Sequence, residues 1–574
     1  MSILILYGSE TGTAQDLAES LRREAQMRHL AARVFELDEY DVGNLLSEDV
    51  ILFVVSTTGQ GEMPPNMRKT WKSLLRKSLG TDFLLNTHCA VLGLGDSSYQ
   101  KYNFAGKKLF RRLAQLGAKM MTRSVFLADD QHEIGIDGAF IPWKQEIWTR
   151  IWEMGIFEKM SEQIDPEVEI QTKYRLVAVE EAPEEEPEDV TPSDSEYRAL
   201  RVASNVRVTS EAHFQDTRLV KFEIPSENPM SYLPGDVLMV RPYNPQETVQ
   251  IAIEALGYSP EMLNKTVKVV KNDPNSKNPP YFLFGKQKTT LLTLLQRYFD
   301  LQQIPKRSFF EMMAYYSKDP SEKERLRELS SPEGLDDLLD YANRCRRTTA
   351  ETFRDFPATS KHLELDHLFE ILTVIRPRAF SIASAPSRSH VELLVAKVEY
   401  KSRMADRRRG LCSTFIARLK EGDEVFCKIR AGTFRFPPPD APVICIGPGT
   451  GVAPFRSLFG QRSEISPNST GLLFFGCRGE HVDFYFSDEW SKMECVEVVA
   501  AFSRDTEKKV YVQHKMGERA RDIKKMLDSG ASVFIAGSSG DMPKAVASVL
   551  AQIQGEEWTK KAEETGRIQY ETWS

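Results

Sequence analysis

Residues 3–14 read ILILYGSETGTA, which is an apolar run, a short polar loop and the start of a helix. The helix places its apolar residues on one side, at Ala14, Leu17, Ala18, Leu21 and Ala25. Comparable apolar runs follow at 50–56, 89–94 and 124–127, with a weaker candidate at 33–36. Near-continuous apolar strands separated by helices are typical of a parallel sheet covered on both faces. The first part of the chain is therefore predicted to be a five-stranded, doubly wound α/β domain.

The composition and the charge narrow the class of protein. Of the 574 residues, 41% are hydrophobic and 27% are charged, which is ordinary for a globular protein of several domains. The net charge of −7 argues against nucleic acid as a partner, because binding a phosphate backbone requires concentrated Lys and Arg. The apolar runs are strand-sized, whereas a membrane span needs about 20 apolar residues. With no signal peptide recognised, we expect a cytoplasmic protein that does not bind membranes.

The cysteines do not indicate a structural framework. They are odd in number, scattered and without a CxxC pair, at Cys89, Cys345, Cys412, Cys427, Cys445, Cys477 and Cys495. This pattern predicts reduced thiols rather than disulfides. The histidines show no metal-ligand spacing either, so no metal site is expected.

Changes of pattern along the chain predict further domains. Seven acidic residues and two prolines between Glu180 and Asp189 cannot bury apolar surface, and indicate a solvated linker. Strand patterns then surround a mostly helical stretch, with one helix predicted over 335–353, which suggests an antiparallel β-barrel with a helical insertion. Alternating strands, glycine turns and helices near the end predict a second parallel α/β domain. The predicted bounds are 1–155 for the first domain, 156–195 for the acidic linker, 196–440 for the barrel with its insertion at about 245–370, and 441–574 for the last domain.

Three polar loops follow successive predicted strands of the first domain. Their candidate binding residues are Ser9, Glu10, Thr11, Gly12, Thr13 and Ala14, then Ser56, Thr57, Thr58 and Gly59, then Leu94, Gly95, Asp96, Ser97, Ser98, Tyr99 and Asn103. Hydroxyl and N–H groups at a helix N-terminus bind anions, and without Lys or Arg the first loop suits a phosphate monoester held by neutral donors. Such loops converge at the ligand site of a doubly wound sheet, where Tyr99 can stack on a flat ring.

A second group of residues lies in the predicted barrel. It comprises Arg378, Ala379, Phe380 and Ser381 on one strand, and Gly410, Leu411, Cys412 and Ser413 in a glycine loop. An Arg offers a pyrophosphate two charge-assisted bonds, an aromatic ring two residues on can stack on isoalloxazine, and a hydroxyl can bond the reactive edge of a flavin. On residue pattern alone, an ordinary strand is an alternative interpretation.

A third group follows the glycine-rich segment 447–455 of the last domain. Its candidate binding residues are Thr450, Ser503, Arg504, Lys509, Tyr511 and Gln513. Glycines at a strand tip let the phosphates of a dinucleotide cross it, and Arg grips phosphate as a fork. The whole set suits the 2′-phosphate of NADPH, whereas Lys509 alone suits a solvated charge at a strand end.

In this order the motifs resemble the diflavin reductases, in which flavodoxin is fused to a ferredoxin–NADP reductase. The resemblance covers nearly the whole chain and rests on residues 8–15, 57–61, 92–99, 129–133 and 571–573. It implies FMN, FAD and NADPH as cofactors, hydride transfer from NADPH to FAD, and electron transfer through FMN to a protein, and it adds Asp129 to the FMN loops. Within the family the chain is most similar to the branch that reduces the iron–sulfur protein anamorsin in cytosolic iron–sulfur cluster assembly.

The resemblance also implies roles for single residues. Trp573 would lie over the FAD ring and move aside for nicotinamide, and Arg346 of the insertion would reach the FAD. Ser381 matches the serine of a Ser–Cys–Asp set beside the nicotinamide in several relatives. Ala536 stands at the Cys position and Glu571 at the Asp position, so no thiol role in hydride transfer is expected.

The residues leave the acceptor open. A diflavin reductase that serves a haem protein or sulfite reduction would carry the same motifs, and a flavin-bearing scaffold that binds a partner with weak turnover is a further alternative. Reduction of ferricyanide by NADPH separates a scaffold from an enzyme, and the identity of the acceptor separates the two enzymes. A monomer is expected.

Overall fold

The structure is a computed structural model that describes residues 2–59, 61–99, 101–179, 197–227, 229–279 and 289–573. The chain is divided between two compact units. One unit consists of Met1–Thr191, Asn244–Arg376 and Lys401–Asp406, and the other of Pro192–Tyr243, Pro377–Tyr400 and Arg407–Ser574.

A parallel sheet with helices on both faces opens the first unit. Its strands are β1 (Ile3–Gly8), β2 (Ala32–Glu36), β3 (Val50–Ser56), β4 (His88–Gly95), β5 (Lys119–Met120) and β6 (Phe126–Asp129), and its helices are α1 (Thr13–Met27), α2 (Arg68–Leu74), α3 (Phe104–Gln115) and α4 (Asp137–Met154). The strand order is β2-β1-β3-β4-β6, with β5 beside the start of β4. The apolar sides of α1 and α4 pack on one face, and those of α2 and α3 on the other. The predicted doubly wound fold is confirmed, but the sheet has six strands where five were predicted, because the two-residue strand β5 is too short to give an apolar run.

The helical insertion belongs to the same unit. Its helices are α5 (Gln246–Leu256), α6 (Pro260–Asn264), α7 (Leu291–Arg297), α8 (Arg307–Tyr316), α9 (Pro320–Ser330), α10 (Leu335–Leu338), α11 (Thr349–Asp355), α12 (Pro357–Ser360) and α13 (Leu368–Ile371). A small antiparallel sheet of β7 (Tyr174–Ala178), β11 (Thr266–Lys271) and β12 (Thr289–Thr290) adjoins them. β7 lies within the predicted acidic linker, whose run from Glu180 to Asp189 falls outside the described residues.

The helix predicted over 335–353 is not continuous. Beyond α10 the chain makes a π-helical turn over Leu339–Arg344, and Arg346 then adopts a φ of 54°. A left-handed residue ends a helix. α11 starts afresh after Thr348, whose Oγ1 accepts a hydrogen bond from Glu351 N at 3.2 Å in a capping box. The prediction of one helix was therefore wrong, because the capping signal divides the segment.

An antiparallel sheet forms part of the second unit. Its strands are β8 (Arg198–Arg207), β9 (Thr217–Glu223), β10 (Val237–Val240), β13 (Arg378–Ser381), β14 (His390–Ala396) and β17 (Glu424–Arg430), and a short ladder of β15 (Glu399–Tyr400) and β16 (Arg408–Arg409) precedes α14 (Leu411–Arg418). The strand order is β13-β10-β17-β8-β9-β14. One further bridge, between Ile382 and Leu393, links the two outer strands. This sheet stands where the barrel was predicted.

A second parallel sheet completes this unit. Its strands are β18 (Val443–Ile446), β19 (Gly471–Cys477), β20 (Glu497–Phe502), β21 (Ser532–Ser538) and β22 (Ile568–Trp573), and its helices are α15 (Ala453–Ile465), α16 (Glu480–Asp483), α17 (Ser487–Trp490), α18 (Val512–Glu518), α19 (Ala520–Asp528), α20 (Asp541–Gln554) and α21 (Glu556–Glu564). The order β20-β19-β18-β21-β22 confirms the predicted α/β domain. All seven cysteines carry free thiols. None of the helices in the described ranges has the length and apolarity needed to cross a membrane.

Candidate functional site

The three predicted loops of the first sheet meet at one edge. Strand register sets the ends of β1, β3, β4 and β6 side by side, since Gly8 pairs with Val55 and Gly95 with Asp129. Ser56 Oγ donates to the carbonyl oxygen of Gly8 at 3.2 Å and ties the second loop to the first. The structure thus brings the loops together at the carboxyl edge, where doubly wound sheets bind ligands.

The first loop turns tightly from β1 into α1. Buried Ser9 accepts a hydrogen bond at Oγ from Gly12 N at 2.9 Å, and its own N–H donates to Asn66 Oδ1 at 2.9 Å. Gly12 has a φ of 99°, a left-handed conformation that favours glycine. The first N–H groups of a helix have no intrahelical partner, so the start of α1 offers donors to an anion. This geometry fits a phosphate monoester.

The second loop is a closed turn. Thr58 and Glu62 exchange both backbone hydrogen bonds, at 3.0 and 2.8 Å, around Gly59 with its φ of 48°. Thr57 Oγ1 accepts from Ala105 N at 3.2 Å. The Thr57 hydroxyl therefore holds the loop against α3, while Thr58 stays half-buried at the turn.

Asp129 holds the third loop in place. Its Oδ1 accepts from Ser97 N at 2.9 Å and from Gln131 N at 3.1 Å. Burial acts to raise the pKa of Asp129, but these hydrogen bonds outweigh it and hold the pKa below its ordinary value of 3.8. Tyr99 is half-buried in the same loop, and its N–H donates to the carbonyl oxygen of Asp96 at 3.2 Å. Asp129 is thus a charged residue that shapes the loop.

Asn103 lies buried beneath the third loop with a φ of 56°. Its Nδ2 donates to the carbonyl oxygen of Ala128 at 2.9 Å, whereas its Oδ1 has no hydrogen-bond partner among the described residues. A Cβ at Gly95 would lie 3.0 Å from Asn103 Cγ, so the two residues are tightly packed. A buried oxygen without a partner costs free energy until a ligand or water completes it. Asn103 therefore fits a position against a bound cofactor.

Two cations that the sequence analysis missed lie at the first loop. Lys306, just before α8, donates from Nζ to Thr13 Oγ1 at 3.2 Å. Arg376 donates from Nη1 to the carbonyl oxygen of Glu10 at 3.4 Å and from Nη2 to the side chain of Gln15. Lys306 is 293 residues from Thr13 and Arg376 is 366 residues from Glu10 along the chain, so no local pattern could indicate these contacts.

The predicted flavin residues of the second unit lie on β13 and at the start of α14. Val240 of β10 pairs with Arg378, and its carbonyl oxygen also accepts a long hydrogen bond from Cys412 Sγ at 4.0 Å. Burial raises the pKa of Cys412 to about 12, although the charge of Arg378 acts in the opposite direction. Arg378 thus lies on the strand whose neighbour contacts the start of α14, and an Arg together with a helix N-terminus fits a pyrophosphate.

The glycine loop before α14 is closely packed. A Cβ at Gly410 would lie 2.8 Å from Ser413 Oγ, which itself accepts from Val398 N at 3.0 Å. Thr414 Oγ1 is buried without a hydrogen-bond partner in the described part of the chain. On the facing strand Phe380 is half-buried. These features fit a cofactor that lies close to the backbone and forms a hydrogen bond with the Thr414 hydroxyl.

Ser381 and Glu571 form a hydrogen-bonded pair within the second unit. Ser381 Oγ donates to Glu571 Oε1 at 2.5 Å. Burial raises the pKa of Glu571 above its ordinary value of 4.5, although the bond from Ser381 opposes this. Glu571 Oε2 is buried and has no hydrogen-bond partner among the described residues. The pair places a hydroxyl and a buried carboxyl together at the predicted nicotinamide position.

The register of β22 places the predicted terminal aromatic. Glu571 pairs with Ala536, and Trp573 pairs with Ser538, at the carboxyl end of the sheet. The carbonyl oxygen of Trp573 accepts from Ser539 N at 2.8 Å, so its backbone is held, while the side chain is 41% exposed. Ala536 leaves no thiol beside the carboxyl.

The glycine segment after β18 fits a dinucleotide. A Cβ at Gly447 would lie 2.8 Å from the carbonyl oxygen of Gly451, so these backbones touch. Gly449 has a φ of 57° with open space beside it, and Thr450 is half-buried next to it. The tip of β18 therefore leaves room for phosphates that cross the strand.

The remaining predicted nucleotide residues lie in the connection from β20 to α18 and in the first turn of α18. Ser503 N donates to the carbonyl oxygen of Cys477 at 2.9 Å, and Arg504 N to that of Arg478 at 2.8 Å, which fixes both positions beside the end of β19. The exposed or half-buried predicted residues of this connection are Ser503, Arg504, Lys509, Tyr511 and Gln513. Two cations and an aromatic ring thus face solvent along one segment, as a 2′-phosphate and adenine require.

Arg346 lies exposed in the insertion. It has a φ of 54° and lies at the break between α10 and α11. Its predicted contact with FAD stays a prediction.

Family models match three parts of the chain. A flavodoxin model matches residues 5–143, an FAD-binding-domain model matches 192–415, and an oxidoreductase NAD-binding-domain model matches 445–548. The three matches follow one another along the chain in the same order as the three predicted groups of binding residues.

Curated relatives match the chain from end to end. A Bos taurus protein named NADPH-dependent diflavin oxidoreductase 1 is 40% identical over 604 residues, which cover 100% of this chain and 99% of the relative. Proteins of the same name from Danio rerio and Arabidopsis thaliana are 40% and 35% identical over 602 and 624 residues, with the same shares covered.

Proposed function

This chain belongs to the family of NADPH-dependent diflavin oxidoreductases, and we propose that its acceptor is an iron–sulfur protein of the anamorsin type in cytosolic iron–sulfur cluster assembly. The chain is an NADPH-dependent oxidoreductase whose cofactors are FMN, FAD and NADPH. When bound, NADPH supplies a hydride, FAD accepts it, and FMN passes the electrons on singly.

The chain's own residues hold these groups in the proposed arrangement. The loop from Ser9 to Ala14 takes the FMN phosphate, while the loops at Thr58 and Tyr99 flank its ring. Arg378 and the start of α14 take the FAD pyrophosphate. Ser381, held by Glu571, presents its hydroxyl where nicotinamide meets FAD. The geometry of each loop and the matches of the three family models support these assignments.

The acidic rim of the FMN loops carries the proposal for the acceptor. Asp130 and Glu133 are exposed beside Asp96 and Asp129 at this edge. Burial raises the pKa of Asp130, and the nearby carboxylates of Asp96 and Asp129 raise it further. Glu62 is partly compensated by Arg68 at 3.0 Å. A basic segment on the acceptor would be drawn to this rim, where electrons leave through FMN.

The test reverses charge at residues that do not hold the loops. Asp130→Lys with Glu133→Lys should slow the NADPH-driven reduction of the anamorsin cluster, and the loss should shrink with salt, because exposed charges are screened beyond about 8 Å at 0.15 M. Ferricyanide reduction should be unchanged. Glu153→Lys is the matched control, since it lies at the far end of α4, about 25 Å from the rim at 1.5 Å per residue.

Three other results would each contradict a different part of this proposal. If a haem protein or a sulfite-reducing partner is reduced rapidly while the anamorsin cluster is not, the proposed acceptor is wrong. Negligible ferricyanide reduction by NADPH would indicate a flavin-bearing scaffold. If the double reversal leaves cluster reduction unchanged at low salt, the acceptor docks elsewhere.

A further inference from the structure

We propose that Lys306 and Arg376, two cations of the segment Asn244–Arg376 that contains the helical insertion, bind the phosphate of FMN and complete a site that the flavodoxin-like part leaves without positive charge. The inference rests on the proposed assignment of residues 9–14 to that phosphate, and it is independent of the acceptor. The insertion would then supply ligands to FMN in addition to packing against the flavodoxin-like part.

The phosphate loop supplies little positive charge by itself. From Ser9 to Leu21 the sequence holds no Lys or Arg. A phosphate monoester carries a charge of about −1.5 to −2 at neutral pH, whereas a helix N-terminus offers the equivalent of about half a positive charge. The loop can orient a phosphate through N–H and hydroxyl groups, but most of the charge is left uncompensated.

Lys306 carries its charge to the edge of this loop. Its Nζ donates to Thr13 Oγ1, the first hydroxyl of α1, at 3.2 Å. No carboxylate lies within ion-pair distance of Lys306 in the described part of the chain. Burial lowers its pKa below the ordinary 10.5, although the more distant carboxylates of Asp16, Asp137 and Asp130 oppose this. An ammonium in such surroundings is stabilised by an anion placed beside it.

Arg376 covers the other side of the loop. Its Nη1 donates to the carbonyl oxygen of Glu10 at 3.4 Å, and its Nη2 donates to the amide oxygen of Gln15. A Cβ at Gly12 would lie 2.6 Å from Arg376 Nε. The guanidinium therefore occupies the space that Gly12 leaves open, beside the start of α1. Such a fork binds phosphate through two bonds.

Neighbouring cations of the insertion behave differently. Lys277 forms an ion pair with Glu39, and Arg307 donates to Asp137 Oδ1 at 3.0 Å. These pairs join the insertion to the flavodoxin-like part and need no ligand. Lys306 and Arg376 instead contact hydroxyl, carbonyl and amide oxygens of the phosphate loop. A role in packing alone explains the first pair of cations, but it does not explain why Lys306 and Arg376 both reach the phosphate loop.

The test measures FMN affinity in the full-length protein. FMN is removed, and its rebinding is followed by the loss of flavin fluorescence for the parent, Lys306→Gln and Arg376→Gln. We expect the Kd for FMN to rise at least tenfold in each variant, the equivalent of about 1.4 kcal/mol. Lys306→Arg and Arg376→Lys, which keep the charge, should recover part of the affinity. Riboflavin, which has the ring without the phosphate, should bind the parent and both Gln variants equally.

Two comparisons make the result decisive. Lys277→Gln breaks a contact between the same two parts away from the loop, so an equal loss of FMN affinity there would overturn direct phosphate binding. An equal loss of riboflavin affinity in the Lys306 and Arg376 variants would overturn it too. Ser9→Ala, which removes the acceptor of Gly12 N, tests the loop itself. If only Ser9→Ala weakens FMN, the two cations are not ligands; if no variant weakens it, the loop assignment also fails.

Discussion

The surroundings of Glu571 determine how its carboxyl titrates. Strand register puts its carboxyl beside Ala536, and Ser381 Oγ donates to it at 2.5 Å. With no thiol beside it, the buried carboxyl is the titratable group of this pair. Its raised pKa makes its protonation sensitive to pH above the ordinary 4.5.

The pH dependence of stability tests this environment. A carboxyl with a raised folded pKa binds its proton more tightly in the folded protein, so its stabilisation is present below about 4.5 and is lost as pH rises through the raised value. Glu571→Gln cannot ionise, so its apparent unfolding midpoint should rise relative to the parent between about pH 5 and pH 8. Thermal scans check this, with exposed Glu564→Gln as control. A constant difference between Glu571→Gln and the parent would contradict the buried carboxyl.

Arg504 tests the choice of nucleotide. Its backbone is fixed beside β19, and its exposed side chain is free to reach a 2′-phosphate. Losing a charge-assisted bond of about 1.5–3 kcal/mol should raise the KM for NADPH tenfold or more in Arg504→Ala, with NADH little changed. Lys508→Ala, an exposed neighbour in the same segment, is the control. Equal losses for NADPH and NADH in steady-state assays would reject this role.

Among the elements, β22 carries the residue that we expect to gate nicotinamide. Its parallel pairing with β21 holds the backbone of Trp573, and the ring stays 41% exposed. Ending the chain after Thr572 should alter the rate of flavin reduction by NADPH and relax discrimination against NADH. Stopped-flow traces measure both. A truncated protein with unchanged traces would show that the aromatic ring has no such role.

Helix α1 joins two parts of the first unit through a buried charge. Arg22, which is 1% exposed, bonds Glu370 at 2.6 Å and lies 3.4 Å from Asp273. Removing Arg22 leaves buried Asp273 without an ion pair among the described residues, and Glu370 with only Arg23, at 3.7 Å, so Arg22→Ala should destabilise the protein by about 3–5 kcal/mol. Urea unfolding of the full chain measures this. Arg150→Ala, in an exposed pair of α4, should cost under about 1 kcal/mol; a similar loss in both variants would contradict the buried network.

The pattern of apolar residues correctly predicted those strands that are buried on both faces. The apolar runs at 3–8 and 50–56 became strands because both faces of a parallel sheet are covered. The break at Arg346 was missed because an apolar periodicity continues through it, while the cap at Thr348 decides where the helix begins. β7 was missed because its partner β11 lies about 90 residues away, and long-range pairing leaves no local signal.

At the scale of the whole molecule, the sequence predicted the binding loops, but it did not predict the two cations that lie against the first loop. Each loop directly follows its strand, so a short segment contains the whole pattern. Lys306 and Arg376 reach the first loop only through the packing of the insertion on α1. If both bind FMN, then FMN binding and that packing strengthen each other by the same free energy, since coupling is reciprocal.

The route of the electrons is the central claim, and it is tested most directly by removing one flavin. The full-length protein, freed of FMN but retaining FAD, is mixed without oxygen with NADPH and oxidised anamorsin, and the visible bands of flavin and cluster are followed in time. We predict that FAD is reduced at the parent rate, that the cluster stays oxidised, and that added FMN restores its reduction. Reduction of the cluster at the parent rate without FMN would contradict the route.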